Sequence, residues 1–384
     1  MIAIFLNYAV ASYCNQLQVE PSFPQLLDPL YKLQIPTTIC AFIQKRKSNM
    51  YCLPLTTPAI QFRSLGTVNC SSIKFFSALN YLYAILNIIQ ICRASVFCYI
   101  FYPGHVGLLA ILVCWMLQKP YALYVRGEVT FLTHRLFSSL FHRLFSDAQF
   151  IICTGEEYSK SLATINQNTE AVIPMSPLLS SLIPIHPTAE KEKDSLTILF
   201  VGQIIREKGV FDLLEAFRQI LTMTSAQLKL IIIGAGPSER LLFKYIKERK
   251  LANHISHLGH ISDPSTLASV YRKADLFCLP SYTEGFPRVL YEAMQFSLPI
   301  VTTPVGQIPA IIKHGENGLL CEPRSLDALI NSLYRLIADD ALRKKLGKAA
   351  RVSVEPLLAH WSGKTHGDQL VNWLFQTDIL NKRI

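Results

Sequence analysis

The sequence predicts an α/β protein of two Rossmann-like domains, each a doubly wound parallel sheet, facing one another across a cleft. Three observations carry this. Apolar strand-like runs alternate with helical stretches over residues 35–180, and the same alternation resumes after 195. Around residues 174–194, the stretch PMSPLLSSLIPIHPTAEKEKDS is rich in Pro and Ser and then charged, as a linker would be. A chain of 384 residues, half of them hydrophobic, is long enough for two cores. The expected boundaries are 1–180 for the first domain, 181–195 for the linker and 196–355 for the second domain, with a helical segment over 356–384.

In the first half, TTICAFI, SVFCYIF, YALYV and QFIICT are the clearest strands, with helices expected at 72–91, 105–118 and 129–145. The opening MIAIFLNYAVASYC reads as a first strand. It lacks the basic start of a secretory signal, and Asn7 breaks its apolar run. Ala94 to Gln118 contains no Lys, Arg, Asp or Glu, a length that would span a bilayer. Its grammar is that of a strand, the turn PGHVG and a buried helix, which favours a non-spanning unit.

The net charge of +10 is spread along the chain, with 12 Lys/Arg against 8 Asp/Glu in residues 1–190 and 25 against 19 in the rest. That bias suits acidic small molecules or an anionic membrane surface, and no nucleic-acid partner is expected. Ten cysteines are scattered, eight of them in the first 153 residues and none in a C-x-x-C pair. They read as buried reduced thiols, and no bound metal is expected because no cluster has zinc-site spacing. The expected location is cytoplasmic.

In the second half the expected order is strand LTILFVG, a helix from Val210, strand LKLIIIG, a helix from Pro237 and a short strand near Ile255. Helix 264–273, strand DLFCLP, a helix after Phe286, strand LPIVTT and helices from Ser325 come next. Open α/β sheets bind ligands at the carboxyl ends of their strands, and three such ends carry chemistry. FVGQIIREKG offers Gly202, Arg206 and Lys208. IIIGAGPSER has Gly234 and Gly236, the first two glycines of a dinucleotide fingerprint, with Glu239 in place of the third. SYTEGFPRVLYEAM sets Glu284 and Glu292 on either side of Gly285, Phe286 and Pro287. Pro287 suits the first position of a helix, and the N–H groups of Arg288, Val289 and Leu290 would face an anion there. An anion site flanked by two carboxylates fits a ligand with a phosphate centre and hydroxyl-rich wings.

The order VGQIIREKGVFDLLEAF, IIIGAGP, ADLFCLPSYTEGFPRVLYEAM and LPIVTTPVGQIPAIIKHGENGLL resembles the donor domain of glycosyltransferase family 4. The resemblance is strong over 196–350 and faint before 95. It implies the GT-B fold and retaining transfer from a UDP- or GDP-linked sugar, with no further cofactor, to a saccharide or lipid-linked acceptor in cell-surface polysaccharide assembly. By the same resemblance, Glu284 with the backbone of Gly285 and Phe286 meets the sugar hydroxyls. Arg288, Val289 and Leu290 hold the diphosphate, Glu292 accepts from the ribose, and Lys208 with Arg206 neutralises the leaving group.

The pattern also departs from the family. Gln203 stands where members often carry Arg after the VG glycine, and NYAVASYCNQ has no glycine-rich loop. YVRGE places Arg126 where many members have a histidine. Arg126 either binds an acidic acceptor or pairs with Glu128, and His105 is the other acceptor-side candidate. FLTHRLFSSLFHRLF, residues 131–145, either lies peripherally on a membrane or covers the sheet with its basic face in water. Rival readings are a nucleotide-sugar-binding module without transfer activity, a nucleotide-sugar epimerase of the same fold, and a dinucleotide oxidoreductase.

Overall fold

The structure is a computed structural model, which describes residues 1–6, 10–13, 16–19, 24–45, 53–54, 60–68, 78–126, 138–172, 178, 195–361 and 365–377. The chain divides into two units, Met1–Pro174 with Gly363–Ile384, and Met175–Ser362. The linker expected at 181–195 lies almost wholly outside the described residues.

The first unit runs β1 (Ile2–Phe5), β2 (Val10–Tyr13), β3 (Gln16–Val19), α1 (Pro24–Lys32), β4 (Thr37–Lys45), β5 (Leu53–Pro54), β6 (Ile60–Val68) and α2 (Ala78–Ala94). It continues through β7 (Phe97–Tyr102), α3 (His105–Met116), β8 (Tyr121–Val125), α4 (Ser138–Ser146), β9 (Ile151–Thr154), α5 (Glu156–Ala163) and β10 (Thr169–Val172). Seven strands pair in parallel in the order β6-β4-β1-β7-β8-β9-β10. Counted along the chain, that order is 3-2-1-4-5-6-7, the doubly wound arrangement. Every residue of the central strands β1 and β7 is buried, as expected of a parallel sheet covered on both faces. The sequence reading named no strand at β2, β3, β5, β6 or β10. β2 extends the sheet beside β4, and β3 and β5 are added antiparallel.

The apparent membrane-length stretch resolves into β7, a turn and α3. Among the described residues no helix is long and apolar enough to cross a membrane. The cysteines are less scattered than the spacing suggested. Cys92, Cys98 and Cys114 come from α2, β7 and α3, and their sulfurs lie within 4.8 Å of one another inside the core. Contacts with Cys114 and Cys92, and then burial, push the Cys98 thiol up, so it packs there as a small apolar group.

The second unit runs β11 (Ser195–Val201), a 3₁₀ turn (Arg206–Lys208), α6 (Val210–Met223), β12 (Gln227–Ile233), α7 (Glu239–Glu248), β13 (Ile255–His257), α8 (Pro264–Lys273) and β14 (Leu276–Leu279). Then come α9 (Arg288–Gln295), β15 (Ile300–Thr302), α10 (Ile308–Ile311), β16 (Leu319–Leu320), α11 (Leu326–Ala338) and α12 (Asp340–Trp361). Its six strands are all parallel in the order β13-β12-β11-β14-β15-β16, again 3-2-1-4-5-6 along the chain. The direction of winding reverses between β11 and β14, so their carboxyl ends form the switch point where such sheets take ligands.

α12 runs through residue 355, where the second domain was expected to end. The chain then returns to the first unit as α13 (His366–Gln376), opened by a capping box between Thr365 and Asp368. Trp373 of α13 packs over Phe97 and Phe150, with ring centroids 5.3 and 4.4 Å away.

Candidate active site

The loops leaving β11 and β14 build the site. Beyond β11, the Gly202 N–H donates to the Ile233 carbonyl (3.0 Å) and the Ile204 N–H to Ala235 (3.1 Å), holding the loop on its neighbour. The 3₁₀ turn then closes on Gly209 in the left-handed region (φ 66°). A Cβ at Gly209 would stand 1.9 Å from the Pro280 carbonyl oxygen, so both backbone angle and space demand glycine. That close approach seats the Lys208 turn against the loop leaving β14.

Across this junction Lys208 Nζ meets Glu284 Oε1 at 2.7 Å, with the side chains 23% and 6% exposed. The Ser281 hydroxyl donates to the same oxygen at 2.8 Å. The loop is fixed from the far side by β15, where Thr302 Oγ1 donates to the Leu279 carbonyl and Thr303 Oγ1 to that of Ser281. Gly306, just past β15 at φ 55°, packs so closely that a Cβ would lie 1.7 Å from the Glu284 carbonyl oxygen. Tyr282 ties the two loops together again. Its N–H donates to the Glu207 carbonyl (2.8 Å) and its hydroxyl to Asp212 (2.8 Å), while Arg324 stands 4.8 Å over its ring. Burial, and then Asp212, push the Tyr282 phenol up to about 12, so it remains a donor.

Glu292 is buried on the second turn of α9, and the Tyr271 hydroxyl of α8 donates to its Oε2 at 2.8 Å. Burial, and then the Glu292 charge, push the fully buried Tyr271 phenol well above its usual range. Tyr271 therefore stays protonated and holds one carboxylate oxygen in place, as a positioning residue.

The helix start differs in detail from the sequence expectation. Pro287 is the residue before the first helical one, because α9 begins at Arg288. The Arg288 N–H donates to the Phe286 carbonyl and the Leu290 N–H to that of Pro287, both at 3.0 Å. Two of the three N–H groups expected to face an anion thus have backbone acceptors here, because the Phe286–Pro287 turn is tight. The Phe286 ring stacks on Tyr291 at 5.0 Å.

Of the remaining expected residues, Gln203 is exposed at the end of β11, and Gly234 comes after β12 against the Gly202 backbone. Arg206 is exposed, with its guanidinium 5.5 Å over the Phe211 ring, so it is Lys208 that engages Glu284. Glu239 has a specific job. Its carboxylate accepts from the Gly236 N–H at 2.7 Å, putting a negative charge on the glycine turn where a dinucleotide fingerprint would offer its N–H groups to phosphate. This counts against the oxidoreductase reading.

In the first unit His105 is exposed at the start of α3, and Arg126 stands directly after β8. β7 and β8 pair Tyr102 with Val125, so the two residues stand at adjacent strand ends. Near Arg126, the His366 imidazole stacks on Tyr124 at 4.4 Å, and burial, with the Arg126 charge as the lesser cause, holds it neutral down to about 3. The apolar side of α4, Phe141, Leu144 and Phe145, is buried while His142 and Arg143 are exposed. This part of the 131–145 stretch covers the sheet, and 131–137 lie outside the described residues.

Sequence reasoning missed Ser281, Tyr271, Tyr282, Asp212, Arg324 and Gly306. Ser281 stands three residues before Glu284 and was findable. Tyr271 reaches Glu292 from another helix and left no local signal.

Comparison with known proteins bears on this region. Residues 184–353 match the family model of glycosyl transferases group 1. An uncharacterized glycosyltransferase from Haemophilus influenzae is 30% identical over 190 residues, 48% of this chain and 52% of that protein. An N-acetyl-alpha-D-glucosaminyl L-malate synthase from Bacillus anthracis is 31% identical over 43% of this chain and 42% of its own length. The chain thus spans about half the length of the curated relatives it matches. The fold likeness extends further. Sucrose-phosphate synthase from Thermosynechococcus elongatus superposes with a TM-score of 0.65, at 18% identity and covering 98% of both chains. HepE from Anabaena, solved with UDP, gives 0.64 at 16% identity over 98% of this chain and 99% of its own. The 184–353 segment of this chain is thus similar to the glycosyl transferases group 1 family, and its two parallel α/β sheets match solved structures of the GT-B fold.

Proposed function

We propose that the chain transfers a sugar, with retention, from a UDP- or GDP-linked donor to a saccharide or lipid-linked acceptor in cell-surface polysaccharide assembly. The observation that carries this is the Lys208–Glu284 pair, 2.7 Å apart at the switch point of the second sheet, with Glu292 held a short way along α9. Relatives of the chain include a capsular polysaccharide biosynthesis glycosyltransferase from Staphylococcus aureus, and HepE has been solved with UDP and glucose. Both support the reading.

The chemistry follows from charge. As the glycosidic bond breaks, negative charge grows on the departing diphosphate, and the Lys208 ammonium stabilises it. That ammonium carries three donors, of which Glu284 takes one. Glu284 positions the sugar through its hydroxyls and the Lys208 ammonium together, and it is not assigned as a nucleophile. Glu292, pre-oriented by Tyr271, accepts from the ribose hydroxyls. On the acceptor side, Arg126 and His105 are the candidate contacts, at adjacent strand ends of the first sheet.

The test is a screen of UDP- and GDP-sugars by thermal shift, then product formation with saccharide and lipid-linked acceptors and assignment of the product anomer. The reading requires a stabilising donor and a product of retained configuration. Donor binding without product with any acceptor would leave a binding module. An epimer formed without acceptor would replace transfer with epimerisation.

A further inference from the structure

We propose that Cys92, Cys98 and Cys114 form a three-sulfur site for a soft monovalent metal ion, copper(I), inside the first unit. The site is independent of sugar transfer and lies in the unit that lacks Lys208, Glu284 and Glu292.

The topology builds this group. α2 leads into β7 and α3 leads out of it, and both helices pack on one face of that strand. Alternation along β7 turns Cys98, Ile100 and Tyr102 towards the helices, and Tyr99 and Phe101 to the other face, against His366. Cys92 lies one turn after Ile88 on the buried side of α2, and Cys114 one turn after Ala110 on that of α3. The Cys92 and Cys114 sulfurs are 3.5 Å apart, those of Cys98 and Cys92 are 3.9 Å apart, and all three lie within 4.8 Å of one another. A point equidistant from sulfurs so spaced stands about 2.3 Å from each, the length of a metal–thiolate bond. An ion therefore enters by replacing thiol protons, with the sulfurs nearly where they are. The sequence hid the group, because C-x5-C-x15-C matches no metal motif.

Coordination number and charge select the ion. Among the described residues no fourth ligand joins these three. Cys40 shares the core, but its thiol turns to the Thr38 carbonyl at 3.9 Å. All three cysteines are fully buried among apolar side chains, which excludes water as a fourth ligand. Zinc in structural sites takes four ligands, whereas sulfur donors in low number suit copper(I). Buried charge is costly, and a monovalent ion that displaces one proton leaves the group neutral. The Lys119 ammonium, fixed at the end of α2 by the Arg93 and Ser95 carbonyls (both 3.2 Å), stands ready to offset a second. An entry path lies at the same end. Cys92 and Cys114 fall in the last turns of α2 and α3, and such turns open at little cost.

The experiment is titration of the reduced full chain with copper(I) under nitrogen, in competition with a chromophoric copper(I) chelator, followed by thermal melting. One equivalent per chain should be retained and should raise the melting temperature. Losing an outer partner of a metal ligand already costs roughly 10–100-fold in affinity, so Cys98→Val and Cys92→Ala should each weaken binding by about a hundredfold or more. Cys153 is buried on β9 outside the group, and Cys153→Ala should bind as wild type does. If Cys98→Val melts early without metal, Cys92→Ala carries the test, because alanine suits a helix. No retained copper, equal retention by the Cys98 and Cys92 variants, or an equal loss in Cys153→Ala would overturn the proposal and leave the thiols as packing. A Cys92–Cys114 disulfide formed with no copper bound would assign the pair to redox chemistry and overturn it too. Nucleotide binding, measured apart, reports on the donor site and should be unchanged in these variants.

Discussion

Lys208 and Glu284 form a half-buried ion pair at which recognition and leaving-group chemistry meet. Losing a pre-organised partner that strengthens in the transition state costs about 10²–10³ in turnover. Lys208→Ala is therefore expected to lower kcat by that factor with a smaller change in donor KM, measured by steady-state kinetics. Normal turnover would reduce Lys208 to a structural partner of Glu284. Tyr271→Phe keeps the ring stacked on Phe296 (5.3 Å) and removes only the hydroxyl that holds Glu292. A hydrogen bond to a charged group contributes about 1.5–3 kcal/mol, so nucleotide affinity should fall about tenfold or more by calorimetry, with folding retained. Unchanged affinity would remove the positioning role. The carboxylates and the lysine were legible in sequence because Glu284 and Glu292 fall eight residues apart in one loop-to-helix motif and Lys208 follows one strand end. Their supports were not, because Tyr271 arrives from α8 and Gly306 from the far side of β15.

At the scale of elements, legibility tracked local chemistry. α8 was readable to the residue because Pro264 fits its first turn and Asp263 caps it, accepting from the Thr266 N–H at 2.8 Å. β2, β3 and β5 were invisible because short strands are defined by their partners and not by their own sequence. The same holds for α13, whose docking on the first unit depends on His366 and Trp373 finding aromatic neighbours far away in sequence. His366 makes that docking pH-dependent. Its folded value of about 3 lies below the usual 6.5, so the unfolded chain binds an extra proton between those values. Its contribution to stability is full above about 6.5 and is lost as pH falls towards 3, by up to about 1.4 kcal/mol per pH unit. Unfolding measured at pH 7 and pH 5 should show this loss in wild type and a shallower one in His366→Gln. Equal slopes would rule out His366 as its source.

For the whole molecule, both sheets wind in the same order from their first strand, which is why a simple count of alternating runs revealed the fold class. The second unit was legible down to its chemistry because its motifs sit at consecutive strand ends. The first unit was legible only as a sheet. Its candidates, His105 and Arg126, carry no motif, and the extra strands around β4 obey no alternation. The central claim is that the switch point between β11 and β14 holds a nucleotide sugar between Glu284 and Glu292. Calorimetric titration of wild type, Glu284→Ala and Glu292→Ala with the free nucleoside diphosphate and with the full donor tests it most directly. The account predicts that Glu292→Ala weakens both ligands alike, whereas Glu284→Ala weakens the donor and leaves the free nucleotide nearly unchanged. Equal losses of free-nucleotide affinity in both variants, or no binding by wild type, would contradict it.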